Sequence, residues 1–340
     1  MHSSSRVVVL TVTYGKRWNF LSQVVEEVMQ DDHVKHLVIV DNGSKNEEAI
    51  KEGVAKYKDR VHIIRNEKNL GSAGGYALGL SYVRSLECDF VFLLDDDTVP
   101  EKDAIATFLH IREKIGDKQI VLVGNRTHIP GNEALFYRQY PTSSATSGTF
   151  FEIFSLRKVK HFFGLLFMQH HDTRKVLSVA HLYVPNESFV YGGAFIPIEA
   201  IRRAPLPDKD LILYGDDIEY SWGIKRLGYS SYVCYSPKIF DIEMSFGEAS
   251  QVTGLFSPAT AFFKVYYRIR NMVRISRRNT TQFGVVLLSN IIVWILGLFI
   301  LGLCRYGISK DFLKRVRLIL QAVYAGYYTH YPTPPEALLP

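Results

Sequence analysis

Cysteine is scarce in this chain: Cys88, Cys234 and Cys304 are the only three, and none stands in a CxxC or Cys/His spacing. That argues against a disulfide framework and a thiolate zinc site, and the three are expected to be reduced cytosolic residues. The start of the chain lacks a positively charged stretch followed by an apolar one, so no secretory signal is expected and the catalytic part should face the cytoplasm. No G-x-G-x-x-G occurs, because the glycines of NEKNLGSAGGYALG fall at 71, 74, 75 and 79. A nicotinamide enzyme is therefore the lesser reading. Those glycines would instead bring backbone close to a phosphate or sugar, or permit a close helix crossing.

Charge is scarce in one sign over part of the chain. Residues 264 to 340 hold 11 Lys and Arg against 2 Asp and Glu, whereas the first 263 hold 29 against 32. The basic character belongs to the tail, where aromatics sit among aliphatic residues, so nucleic acid is not expected as a partner. Within that tail Phe283 to Cys304 is apolar except for Ser289 and Asn290. At about 1.5 Å per residue this run is long enough to cross a bilayer. Arginines and lysines flank both ends, so charge does not decide between a span and a helix at the interface, and an anionic membrane lipid fits either. A core or dimer-interface helix, and hence a homo-oligomer, is the alternative.

Elsewhere, apolar β-branched runs alternate with helical periodicity. Val7–Val12, Leu37–Val40 and Val61–Ile64 read as strands, Asn19–Gln30 and Gly71–Leu86 as helices, which predicts a doubly wound α/β sheet. Tyr140–Gly148 is turn-rich, either a loop over a ligand or an insertion. The segments flanking His170 and His171 resemble a hairpin, with those histidines as turn residues.

The chemistry concentrates in two acidic clusters. Asp95-Asp96-Asp97 ends the apolar run Phe90–Leu94, placing carboxylates where a buried strand empties into a crevice, an arrangement a divalent metal would neutralise. Asp216, Asp217 and Glu219 follow about 120 residues later. A metal cluster and a proton-transfer cluster suit a metal-assisted group transferase. Asp41, in VDNGS after the second strand, can accept hydrogen bonds from a nucleobase or ribose, although such junctions also carry Asp-Asn-Gly for conformational reasons.

These pieces, with NLGSAGG at 69 to 75, LLDDDTVP at 93 to 100, YGGAFIP at 191 to 197 and YGDDIEYSWGIKRLGY at 214 to 229, resemble an inverting glycosyltransferase of the GT-A fold, family 2. The triple aspartate, the DDIE cluster and YYRIRN at 266 to 271 are most similar to the galactofuranosyl- and rhamnosyl-transferase branch. The resemblance implies a mostly parallel central sheet with flanking helices over residues 1 to 263, a donor half to 124 and an acceptor half beyond, followed by a helical membrane-associating region.

It also implies roles. Asp95 and Asp97 would hold Mn²⁺ or Mg²⁺ against the donor diphosphate, and Asp96 would touch the donor sugar or ribose. Asp217 would be the general base, Asp216 and Glu219 would orient it or bind acceptor hydroxyls, and Trp222 would stack on a sugar or serve as a core aromatic. Tyr14, Asp41, Arg65 and Asn69 would hold the nucleotide end, with Arg65 either facing a phosphate or solvated. Family members usually carry a metal-binding histidine about 24 residues beyond the base, where this chain has Asp241. Aspartate suits both ions, so Asp241 is a candidate third ligand.

No QxxRW element is present, so addition of one or a few sugars is expected rather than processive synthesis. The implied donor is UDP-galactofuranose, with dTDP-rhamnose second. The implied acceptor is a polyprenyl-diphosphate-linked glycan or growing polysaccharide at the cytoplasmic face of a bacterial inner membrane. A catalytically silent binding partner of an assembly complex, and a nucleotidyltransferase, are the competing classes.

Overall fold

The computed structural model describes residues 5–126, 183–243, 252–279, 284–328 and 332–339. The Tyr140–Gly148 stretch and the histidines at 170 and 171 lie outside the described residues. The chain divides into two compact units, one comprising residues 1–139, 179–247 and 339–340, the other residues 140–178 and 248–338.

The described residues of the first unit form nine strands: β1 (Val7–Thr13), β2 (Val34–Asn42), β3 (Val61–Asn66), β4 (Phe90–Asp95), β5 (Thr98–Pro100), β6 (Ile120–Arg126), β7 (Tyr183–Asn186), β8 (Ala194–Pro197) and β9 (Ser230–Asp241). They run in the order β3-β2-β1-β4-β8-β6-β9-β5, with β7 also on β9. The first four are parallel, as the alternation of strand and helix predicts. Beyond them the expectation of a mostly parallel sheet is corrected. β8 runs antiparallel between β4 and β6, and β5 and β7 run antiparallel to β9. The sheet is mixed because β5 and β8 are short returning segments with no crossover helix to restore direction.

Helices α1 (Trp18–Val28), α2 (Glu47–Val54), α3 (Gly71–Val83), α4 (Ala104–Ile115), α5 (Ile198–Arg203) and α6 (Asp216–Arg226) flank these strands in sequence. Every residue of β1 is buried, and alternate residues feed two separate layers. Val8, Leu10 and Val12 join Leu80 and Val83 of α3, whereas Val7 and Val9 join Leu21, Val24 and Val28 of α1. Burying each such side chain contributes about 1.5–3 kcal/mol, so the strand ends that carry the polar groups rest on a rigid platform.

The second unit contains α7 (Phe262–Asn279), α8 (Gly284–Tyr306) and α9 (Lys310–Tyr327). Arg315, 2% exposed, ties it together, its guanidinium donating to the carbonyl of Thr260 at 2.8 Å and to Asp311 at 2.7 Å. Among the described residues α8 is the one helix long and apolar enough to cross a membrane.

Candidate functional site

Since β8 is antiparallel to both β4 and β6, strands β1, β2, β3, β4, β6 and β9 all point the same way. Their carboxyl ends therefore deliver Thr13, Asp41, Arg65, Asp95, Arg126 and Asp241 to one edge, the usual ligand edge of an α/β sheet.

The triple aspartate turns from β4 into β5, the turn closed by Thr98 Oγ1 donating to the Asp95 carbonyl at 3.0 Å. Asp96 faces inward, 3% exposed, and accepts from Thr13 Oγ1 at 2.7 Å and from Arg17 Nε at 2.9 Å. The same guanidinium donates to Asp97 at 2.8 Å and to Glu243 at 2.7 Å. Arg17 immediately precedes α1, where the helix dipole disfavours a cation, and three carboxylates outweigh that. They also keep it charged against the burial that would lower its pKa. Asp96, expected to touch the donor, is held from within the fold by Thr13 and Arg17.

A second arginine serves the other side. Arg126 lies opposite Ile239 in the β6–β9 register, so Asp241, two residues on and on the same face, meets its guanidinium with both oxygens, Nε at 3.1 Å and Nη2 closer. Nη1 reaches Asp95 at 3.5 Å. Gly192 is what admits this group: a Cβ there would stand 2.5 Å from Asp95 Oδ2 and 2.9 Å from Arg126 Nη1.

The second acidic cluster opens α6, where the dipole favours anions. Asp216 is 2% exposed and accepts from Ser72 Oγ at 3.0 Å to each oxygen. Ser72 reaches it because Gly71, at φ +73°, lets α3 begin against the backbone before α6; a Cβ on Gly71 would lie 2.0 Å from the Ile212 carbonyl oxygen. Asp217 is half-buried and accepts from the Ile218 amide at 2.8 Å. Burial pushes its carboxyl up to about 6, the Ile218 amide and Arg126 opposing, Asp95 adding to it. Burial and Asp217 push Asp216 well above the usual carboxylate range. The two acidic clusters, far apart in sequence, thus face one another electrostatically through Asp95, Asp217 and Arg126.

The remaining expected residues sit as follows. Asp41 is buried opposite Arg65 in register, and Arg65 pairs with it and with Glu47 at 3.1 Å. Asn69 Oδ1 accepts from the Gly71 amide at 2.9 Å. Tyr14 is 41% exposed with the Arg17 guanidinium 5.2 Å from its ring centre. Glu219 is half-buried in the first turn of α6. Trp222, for which sugar stacking and a core aromatic were both open, is buried at 7% exposure.

Arg17, Arg126, Glu243 and Ser72 were not anticipated from sequence. Arg17 carried a signal, a cation at a helix start, which needs a carboxylate to justify it. Arg126 carried a weaker one, a cation closing an apolar strand.

The donor set suits a hard divalent cation in charge but not yet in arrangement. In the ion pairs of the described residues, Asp95, Asp96, Asp97, Asp241 and Glu243 meet the guanidiniums of Arg17 and Arg126, a carboxylate-rich set. Burial, Asp95 and Asp96 push Asp97 up to about 7, a frustration a cation would relieve. Yet among the described residues no three acidic, histidine or cysteine side chains are grouped as a metal site, and Asp241 gives both oxygens to Arg126. Asp95 and Asp97 fit as ligands; Asp241 fits only on release from Arg126.

A stability measurement reads this frustration directly. A carboxyl whose folded pKa is raised stabilises the fold below about pH 4 and loses that contribution as pH rises through its folded pKa. In EDTA at pH 8, Asp97→Asn should therefore stabilise the protein, by on the order of 2 kcal/mol, with the gain vanishing below about pH 4. Urea melts at the two pH values check it. The same substitution should weaken stabilisation by Mn²⁺.

Comparison with known proteins agrees with this geometry. The pattern of the family described as Glycosyl transferase family 2 matches residues 8–173. The galactofuranosyltransferase GlfT1 of Mycolicibacterium smegmatis is 31% identical over 235 residues, 67% of this chain and 68% of that protein. The dTDP-rhamnosyl transferase RfbF of Shigella flexneri is 20% identical over 278 residues, 81% of each. Among solved structures, GalNAc-T7 with UDP, GalNAc and Mn²⁺ superposes at a TM-score of 0.58 with 15% identity, covering 98% of this chain and 59% of that one, a likeness of fold. With a relative nearly one-third identical across two thirds of both proteins, and a strand edge that gathers the acidic clusters of such enzymes, the chain belongs to glycosyl transferase family 2 as a glycosyltransferase of GT-A fold.

Proposed function

We propose that this protein transfers galactofuranose, with inversion, from UDP-galactofuranose to a hydroxyl of a lipid-linked or polysaccharide glycan. The observation that carries the reading is the place of Asp217, half-buried in the first turn of α6, where burial pushes its carboxyl up to about 6 and the charges of Asp95 and Arg126 act on it. A base of that pKa is ionised at neutral pH yet still able to take a proton. Asp217 removes the proton of the acceptor hydroxyl as its oxygen bonds to the anomeric carbon. The nucleoside diphosphate departs from the opposite face with the electron pair of the broken bond, and configuration inverts.

Asp216, fixed by Ser72, orients the start of α6, and Glu219 binds acceptor hydroxyls. Tyr14, Asp41, Arg65 and Asn69 line the nucleotide end. Mn²⁺ or Mg²⁺ on Asp95 and Asp97, with Asp241 once freed from Arg126, would supply neutralisation of the leaving diphosphate. The choice of galactofuranose is supported by the similarity to GlfT1. Rhamnose from dTDP-rhamnose is the second reading, supported by the longer though weaker match to RfbF. The apolar α8 and the basic tail support an acceptor borne on the cytoplasmic leaflet.

A donor panel tests this. Enzyme with Mn²⁺, detergent and a polyprenyl-linked glycan extract should release nucleoside diphosphate and raise glycan mass with UDP-galactofuranose, and not with UDP-glucose or UDP-galactose. Mass gain with dTDP-rhamnose alone selects the second reading. Silence with every donor, while a control transferase works on the same extract, rejects both.

A further inference from the structure

Among the described residues, the second unit carries an exposed apolar surface on α8. One stripe of α8, Leu287, Asn290, Ile291, Leu298 and Gly302, is buried along the whole helix. Its first turns pack on Val273 of α7, and at its far end a Cβ on Gly302 would stand 2.5 Å from the Phe256 ring. The opposite stripe, Val285, Leu288, Ile292, Leu296 and Ile300, recurs every three or four residues and is 45–76% exposed. A continuous apolar ridge of this kind marks an interaction surface.

The exposed stripe of α9 is different in kind. Lys310, Lys314 and Arg317 alternate there with Leu313, Leu320 and Tyr324, all exposed, and Ile308 in the connecting turn is 76% exposed. Cations mixed with aromatic and aliphatic groups suit the headgroup layer of an anionic bilayer, where each contributes separately. The surplus of 11 basic over 2 acidic residues from 264 onward gives the same charge complementarity.

We propose that α8 lies in the plane of an anionic bilayer, sunk on its exposed stripe with the α9 cations among the headgroups, and does not cross it. A helix that crosses alone meets lipid on all sides. Here α8 is held at both ends by its own unit, Asn290 is fully buried, and α7 packed beside it carries Arg268, Arg270, Arg274, Arg277 and Arg278. Crossing would require either stripping α8 from these partners or drawing those arginines into hydrocarbon. The inference gives the membrane-borne acceptor of the proposed function its geometry, and rests on that reading for its purpose but not for its chemistry.

The experiment uses the full chain with Cys304→Ser, the buried Cys88 and Cys234 kept, and one added cysteine, Val285→Cys, Leu296→Cys or Leu301→Cys, carrying a fluorophore, bound to vesicles with a quencher high or deep on the acyl chain. In-plane binding makes the shallow quencher the stronger at all three positions. Strongest deep quenching at Leu296, the middle of a span, would overturn the proposal. Unlabelled protein should float with phosphatidylcholine vesicles about tenfold better when they contain phosphatidylglycerol. Leu296→Asn with Ile300→Asn should lower that binding about tenfold. Absence of flotation, or a dimer that the double variant converts to monomer, would assign the face elsewhere and overturn it. Donor turnover in detergent is read in parallel: its failure with flotation intact sinks the proposed chemistry and leaves this geometry standing.

Discussion

Asp217→Asn is expected to lower sugar transfer by about three orders of magnitude while leaving donor affinity nearly unchanged. The amide is isosteric and keeps the oxygen that accepts from the Ile218 amide, so the first turn of α6 should remain intact. It has no lone pair basic enough to take the acceptor proton. In the unaltered enzyme the transfer rate should rise with pH and level off above about 6, because the acid limb reports ionisation of Asp217. The variant should lose that limb along with the rate. Isothermal titration with the donor, beside single-turnover transfer across pH, separates the two effects. Equal turnover in the variant would remove Asp217 from the mechanism; loss of donor binding would show that it acts on the donor side.

The parallel half of the sheet and its two acidic clusters were legible in sequence because each rests on local pattern. Val7–Val12 and Leu37–Val40 are buried on both sides and so run apolar without alternation, and the carboxylates stand at strand and helix ends. The antiparallel strands were not legible, since β5 and β8 have three and four residues and no periodicity to read. The same limit hid the pairings of the site. Arg126 meets Asp241 only because of a β6–β9 register, and Arg17 meets Glu243 across 226 positions of chain. Composition at one position does not carry such information. Hence the intramolecular cations beside Asp96, read as touching the donor, and beside Asp241, read as a metal ligand, were not legible, while the helix that presents Asp217 buries Trp222.

Arg17→Ala should be the most damaging substitution for stability, costing about 3–5 kcal/mol at pH 8. The guanidinium is 12% exposed and touches Asp96, Asp97 and Glu243 at once, so its removal takes away the cation that these carboxylates share. Asp96 is already pushed up to about 6 by burial, with Arg17 as the main force opposing, and Asp97 to about 7 by burial with Asp95 and Asp96. Without Arg17 both would rise further. The folded protein then binds more protons than the unfolded one from about pH 4 upward, so stability falls as pH rises and returns on acidification. Urea unfolding should therefore show a deficit at pH 8 that shrinks as pH falls through about 7 and 6, a dependence that simple loss of packing against Tyr14 and Phe20 would not produce. Mn²⁺ should restore part of the deficit at pH 8, since a cation on Asp95 and Asp97 meets the same charge. A deficit equal at both pH values, and indifferent to Mn²⁺, would mean that Arg17 contributes by packing and that the acidic turn needs no cation to hold its shape.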